Sequence, residues 1–256
     1  MEGSTLKITL DKIVLGNKFT KAAGEFKEKT PGKSALVLGG TGEVGREVVK
    51  HLMASDAFDK VTVFTRRPIE YTGANAEKLV QKPVDYEDSA RLERDFAGHS
   101  HAFCCLGTTR AKSGADGFYK VDHDYVVDSA KACKQANVEH YSICSSSGAN
   151  KNSMFLYMKT KGQADDEIQN MGFPRVSVFR PGMLLCDRGE SRLLEKVVTV
   201  PLKLLTMVAP SLLSIPTSTV AWAMVNNAFT VPATTPLNEI IGNADMHKGF
   251  DNAQKE

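Results

Sequence analysis

Tyr157 and Lys161 stand four residues apart in the run FLYMKTKG (155–162), so a helix there places them on one face. An ammonium group beside a phenol favours the phenolate and lowers a pKa that starts near about 10. That makes a tyrosine a usable acid or base near neutral pH. Ser145 and Ser146 precede Tyr157 by twelve and eleven residues in the triplet Ser145-Ser146-Ser147. A serine at that distance can hydrogen-bond a substrate oxygen, and the spacing leaves open which member of the triplet does so. A Tyr-x-x-x-Lys spacing alone also fits a core tyrosine with a lysine snorkelling past it. Its meaning depends on the rest of the chain.

The second constellation is LVLGGTGEVGR (36–46), an apolar run opening onto Gly39, Gly42 and Gly45, with Gly40 overlapping to give G-x-G-x-x-G. Early glycines allow a sharp turn off a strand, Gly42 allows a pyrophosphate to approach the backbone, and Gly45 allows a helix to pack closely on the strand. The amides of Thr41, Glu43 and Val44 then face an anion from a helix N-terminus. The position after a strand and before a helix is the context that gives this motif its dinucleotide-binding meaning.

The end of the next strand reads Phe64-Thr65-Arg66-Arg67. An NAD site places a carboxylate there for the ribose hydroxyls. Two guanidiniums suit a 2′-phosphate instead, so NADP(H) is the expected cofactor. Asp85 and Tyr86 are placed to flank the adenine. Leu106 and Gly107 close a further strand where backbone meets ribose.

These groups need a sheet to hold them. Ala35–Gly39, Val61–Thr65, Lys78–Val84, Ala102–Leu106, His140–Ser145 and Arg175–Arg180 read as strands, and Leu237–Ile241 as a last edge strand. Helices are expected over Glu43–Ala54, 87–97, Tyr119–Ala136 and Phe155–Asn170. Short apolar runs alternating with amphipathic helices predict an α/β, Rossmann-type doubly wound parallel sheet covered on both faces. The expected organisation is one domain over 34–256 with a small C-terminal substrate-side region. Residues 1–33 read as a flexible N-terminal extension, with one short helix over 19–29.

Composition sets the outer limits. The 256 residues carry 32 basic and 30 acidic side chains, a net charge of +2. No window has the clustered basic surface that nucleic acid requires. The five cysteines form no CxxC pair, and the six histidines, His51, His99, His101, His123, His140 and His247, show no ligand spacing. Neither a disulfide framework nor a metal site is expected. Residues 204–238 contain no charged side chain, but Pro210, Pro216, Pro232 and Pro236 interrupt them, which favours core helices and a pocket wall over a membrane span. Peripheral membrane contact through 193–215 or the amino-terminal extension is the alternative. Residues 1–18 bear charges where a leader's apolar core would lie, lack Arg and contain Glu2 and Asp11. A cytoplasmic location is therefore expected.

With LGGTGEVGR (38–46), FCCLGTTR (103–110), VDHDYV (121–126), FLYMKTKG (155–162) and FRPGMLLCDRGESR (179–192), the chain resembles the atypical short-chain dehydrogenases/reductases. Within them it is similar to the Tat-interacting oxidoreductase-like family of animals, which includes metastasis suppressors. The similarity spans about residues 34–250. It implies bound NADPH, with Thr41–Val44 at the pyrophosphate, Arg66 and Arg67 at the 2′-phosphate, and Tyr157 as proton donor and acceptor. It further implies Lys161 on the nicotinamide ribose, and Leu184 and Arg192 closing over the nicotinamide. A monomer is implied too, as are partners among nuclear transport receptors or transcription factors and a nuclear or nuclear-envelope presence. One departure concerns turnover more than cofactor binding: Asp122 stands where efficient members carry Asn. The expected activity is hydride transfer to a carbonyl or an activated double bond. The alternatives are an NADPH-binding regulatory protein with little turnover and a membrane-associated role in trafficking or lipid chemistry.

Overall fold

The structure is a computed structural model and describes residues 6–9, 13, 15–186 and 213–255. Its centre is a seven-stranded parallel sheet. The strands are β2 (Ser34–Leu38), β3 (Lys60–Thr65), β5 (Leu79–Pro83), β6 (His101–Cys104), β7 (His140–Cys144), β8 (Arg175–Arg180) and β11 (Leu237–Gly242), in the order β11-β8-β7-β6-β2-β3-β5. The chain starts in the middle, builds outward through β3 and β5, then returns to β6 on the other side of β2. The crevice between β2 and β6 is thus the topological switch point, where such sheets bind ligands beyond their carboxyl ends.

Two-residue periodicity divides the core between the sheet's faces. Ala35 and Val37 of β2 join one cluster, with α2 (Glu43–Ser55), α7 (Thr217–Ala228) and α8 (Asn243–Gln254). Leu36 and Leu38 join the other, with α3 (Ser89–Phe96), α5 (Tyr125–Gln135) and α6 (Leu156–Gln169). The doubly wound fold expected from sequence is the observed one. The uncharged stretch supplies α7, whose Val220, Ala221, Trp222, Met224 and Val225 are buried.

The amino-terminal region differs from the flexible extension expected. Residues Leu6–Thr9 form β1, which pairs in parallel with β4 (Ile69–Thr72). Asn17–Lys29 form α1, whose Phe19, Ala23 and Phe26 are buried at the spacing of one helical face. Phe19 meets Phe229 at 5.2 Å and Phe26 meets Phe58 at 5.4 Å between ring centroids. α1 is therefore part of the core that covers one face of the sheet.

The long helix expected over Tyr119–Ala136 is also modified. α4 (Arg110–Tyr119), broken at Gly114 with φ +71, leads into a wider π-turn over Lys120–Asp124 before α5 begins. A short parallel pair, β9 (Met183–Leu185) with β10 (Ser214–Pro216), completes the carboxyl side of the sheet.

At the opposite end lies a buried polar cluster. The His140 ring Nε2 is 2.8 Å from Ser177 Oγ, and the Arg175 Nε–H donates to Glu239 Oε1 at 2.9 Å. Burial first, then the positive charges of Lys33 and Arg175, push His101 down from 6.5 to about 3. Burial likewise holds His140 well below its ordinary value.

Two outcomes follow. Phe19→Ala, which empties a filled site, should cost about 3–5 kcal/mol in equilibrium denaturation, whereas a detached extension would make it neutral. The histidines stay neutral when folded but take up protons when unfolded. The His101 contribution is therefore full above the unfolded pKa of 6.5 and is lost as pH falls from there toward about 3. The unfolding free energy should drop through that window with a slope approaching roughly 1.4 kcal/mol per pH unit from His101, and His101→Gln should flatten it.

Candidate active site

The glycine-rich turn is held by contacts that leave no room for side chains. Gly39 has φ +74, and a Cβ there would lie 2.4 Å from the Cys105 carbonyl oxygen at the end of β6. A Cβ on Gly45 would lie 2.2 Å from the Gly39 carbonyl oxygen. The turn closes with Gly42 N–H donating to Gly39 O at 2.9 Å. Gly42 is the N-cap of α2, and no side chain folds back onto the first-turn amides. The α2 N-terminus thus presents unpaired N–H groups, including those of Glu43 and Val44, to an anion in the switch-point crevice. Arg46 is buried behind this turn and pairs with Glu43.

Arg66 and Arg67 follow β3 directly, and both side chains are exposed. Thr65 shapes their turn: its hydroxyl donates to Arg67 O at 2.6 Å and accepts from Arg67 N–H at 3.1 Å. Among the described residues neither guanidinium has an ion-pair partner. Asp85 is exposed after β5, where its carboxylate accepts from Glu87 N–H at 3.0 Å. Tyr86 stacks on Tyr125 at 5.2 Å, and burial first, then Cys104, raises its phenol far above the ordinary value.

Tyr157 and Lys161 lie on α6 as their spacing predicts, in different surroundings. Tyr157 is 47% exposed and stacks on Phe118 at 5.6 Å. The Lys161 side chain is only 8% exposed, and its ammonium lies 2.7 Å from Asp122 Oδ1, itself 1% exposed. The second oxygen, Asp122 Oδ2, accepts from Thr108 N–H at 2.7 Å. A Cβ on Gly107 would lie 3.3 Å from Asp122 Oδ1 and 3.8 Å from Lys161 Nζ, so that glycine lets the strand end approach the pair. Burial alone would lower Lys161, but the Asp122 carboxylate, helped by Tyr157, prevails and raises it above 10.5.

This explains the carboxylate in place of an amide. Asp122 uses both oxygens as acceptors, one for the α6 lysine and one for the loop after β6. An asparagine has a single acceptor oxygen and would turn an N–H toward one of these donors. The π-turn gives the carboxylate this position. Sequence reading found the departure at Asp122 but not the pair it forms.

Ser145 and Ser146 separate in depth. Ser145 is buried beside Asp165, whose carboxyl burial pushes up while Ser145 and Arg180 hold the rise in check. Arg180 Nε–H donates to Asp165 Oδ2 at 3.0 Å. Asp165 lies eight residues beyond Tyr157, about 12 Å along the helix. Ser146 is half-buried at the turn that follows. Leu184 is half-buried in β9, and Arg192 falls outside the described residues. Asp165 and Arg180 were not anticipated, although Tyr157, Lys161 and Asp165 recur every four residues. Among the described residues no group of His, Cys, Asp and Glu is placed to hold a metal ion.

The fold and its switch-point crevice fit a nicotinamide-dinucleotide-binding, oxidoreductase-like protein. A family model described as NAD(P)H-binding matches residues 39–226. Protein HTATIP2 of Rattus norvegicus is 39% identical over 87% of this chain and 92% of its own length. The chain belongs to this NAD(P)H-binding family. Protein FMP52-1, mitochondrial, of Scheffersomyces stipitis is 41% identical over 62% of this chain and 70% of its own. Protein FMP52, mitochondrial, of Candida albicans is 38% identical over the same shares. Among solved structures, MoeE5 in complex with UDP-glucuronic acid and NAD aligns with a TM-score of 0.61 at 16% identity, over 82% of this chain and 75% of that one. A short-chain dehydrogenase/reductase family oxidoreductase from Burkholderia thailandensis gives 0.59 at 17% identity, over 85% and 94%. These two share the fold.

The mitochondrial designations overturn the cytoplasmic location expected above. The composition of the amino terminus does not decide the compartment. Among the described residues no helix is long and apolar enough to cross a membrane.

The buried pair yields a direct prediction. Asp122→Asn leaves the ammonium without its counter-charge and should destabilise the protein by about 3–5 kcal/mol at neutral pH, read by chemical denaturation. Lys161 in that variant would sit below its unfolded value, so the deficit should shrink as pH rises toward 10.5 and the unfolded lysine also loses its proton.

Proposed function

We propose that this protein is an NADP(H)-dependent oxidoreductase of the short-chain dehydrogenase/reductase type, with Tyr157 as proton donor to a carbonyl oxygen. The observation that carries the reading is the buried Lys161 ammonium. It lies against Gly107 at the switch-point crevice, one helical turn from the half-exposed Tyr157. The residues present fit a dinucleotide. The α2 N-terminus and the Gly39–Gly45 turn suit the pyrophosphate, and exposed Arg66 and Arg67 suit a 2′-phosphate through charge-assisted, bidentate bonds. Asp85 and Tyr86 would flank the adenine, Leu106 and Gly107 the ribose, and Leu184 the nicotinamide.

The reduced nicotinamide, when bound, supplies the hydride. Tyr157 Oη–H hydrogen-bonds the carbonyl oxygen and transfers its proton as negative charge develops there. Lys161 stabilises the phenolate that results, and Asp122 keeps Lys161 charged and fixed in place. We assign the substrate-side serine to Ser146, because it is half-buried at the turn whereas Ser145 is buried. A regulatory protein that binds NADPH with little turnover is the second reading. It is favoured by Asp122, which engages Lys161 fully and leaves it less free to pass protons. The yeast relatives' names bring a mitochondrial setting into the proposal, which fractionation of cells expressing the tagged chain would check.

Cofactor titration and a carbonyl screen test the reading. Arg66→Ala with Arg67→Ala should weaken NADPH at least about tenfold and leave NADH nearly unchanged, as expected for lost charge-assisted bonds. Equal weakening of both cofactors would remove the 2′-phosphate assignment. Tyr157→Phe should abolish NADPH oxidation while retaining NADPH affinity. Tight NADPH binding by the unaltered protein with no carbonyl reduced would favour the regulatory reading.

A further inference from the structure

Eight large hydrophobic side chains are exposed among the described residues, and four of them fall within five consecutive positions: Met154 at 99%, Phe155 at 72%, Tyr157 at 47% and Met158 at 38%. Apolar surface concentrated in this way marks a contact site, whereas scattered single residues need no explanation. This cluster surrounds the proposed proton donor. Phe118 stacks on the Tyr157 ring, and Met158 lies against Gly148, just after the serine triplet, where an added Cβ would be 3.5 Å from its Cε.

The cluster is held in place. Asn150 N–H donates to Met158 O at 2.9 Å, and Ser153 N–H donates to Asn150 O at 3.0 Å. Gly162 lets the loop lie directly on α6, since a Cβ there would be 2.3 Å from the Lys151 nitrogen. Nearby charges are directed elsewhere. Lys151 pairs with Asp166 at 2.7 Å, Lys161 is buried on Asp122, and Lys159, two residues beyond Tyr157, projects from the opposite side of the helix.

We propose that the substrate is an uncharged aldehyde or ketone with a hydrocarbon body, seated on Met154, Phe155 and Met158 with its carbonyl oxygen on Tyr157. This rests on the reductase reading. The carbonyl carbon gains a hydride from the reduced cofactor and the oxygen gains the Tyr157 proton. C=O becomes CH–OH, the cofactor is oxidised, and solvent reprotonates the phenolate. A sugar or carboxylate-bearing substrate would lay polar groups on apolar side chains with nothing to pair them.

NADPH oxidation by the full chain with butanal, decanal and glyceraldehyde tests this, alongside calorimetric binding of decanamide, a non-reducible analogue, to the NADP⁺-loaded protein. The expected result is kcat/KM for decanal about tenfold or more above butanal, with glyceraldehyde poorest. Met154→Ser with Phe155→Ser should cut the decanal advantage about tenfold through KM and weaken decanamide to match, with NADPH affinity retained as proof of folding. Equal kcat/KM along the series, or no decanamide binding by the unaltered protein, would overturn the substrate class. If decanamide binds and the double variant loses it, yet no aldehyde is reduced, the apolar seat stands and the reductase reading falls.

Discussion

The carboxylate of Asp122 joins three segments distant in sequence. One oxygen takes the Lys161 ammonium from α6, and the other takes the Thr108 amide from the loop after β6. The carboxylate itself projects from the π-turn that precedes α5. Taking both charges out of water is costly, and their attraction repays that cost only when the remaining lone pairs and protons are also satisfied. The observed geometry meets this condition on the carboxylate side. It also explains the π-turn, because a regular helix through Lys120–Asp124 would rotate the residues that follow relative to those before. The strand end, the turn and α6 are thus fixed relative to one another by a single buried anion.

The cofactor side depends on excluded volume. Gly39 and Gly45 bring β2, α2 and the end of β6 within backbone contact, and this close approach sets where the α2 amides point. The two halves of the site meet at Gly107, which belongs to the switch-point crevice and also touches the Asp122–Lys161 pair. A change in either half is therefore felt by the other through one short loop.

Much of this was legible in sequence, for identifiable reasons. The strand-to-helix switch around Gly39–Gly45 combines a change of hydrophobic period with glycines that have few other uses. Tyr157 and Lys161 declare themselves by helical spacing. α1 was harder. Phe19, Ala23 and Phe26 do follow a helical stripe, but lysines and Gly24 dilute it, and its partners Phe58 and Phe229 lie far along the chain. The π-turn was hidden because Lys120–Asp124 carries no local signal, the extra residue being stabilised by tertiary partners. Ser145 and Ser146 are chemically alike in sequence, and only the strand's final side-chain alternation sends one toward Asp165. The pairing of β9 with β10 depends on residues about thirty positions apart, beyond the reach of any local pattern.

The inner and outer sides of the α6 amino terminus make complementary demands on a ligand. Inward, among the described residues, Lys161 is matched by Asp122 and Asp165 by Arg180. A charged substrate group would find no counter-ion there without breaking a buried pair. Outward, Met154, Phe155 and Met158 offer only dispersion and hydrophobic contact. Between the two lie the half-exposed Tyr157 and the serine turn. Under the proposed reading, such an arrangement would grip a molecule by a single polar atom and select the remainder by its lack of polarity. Orientation at the reacting carbon would then come from the shape of the apolar seat, whose loop is fastened to α6 at Gly162.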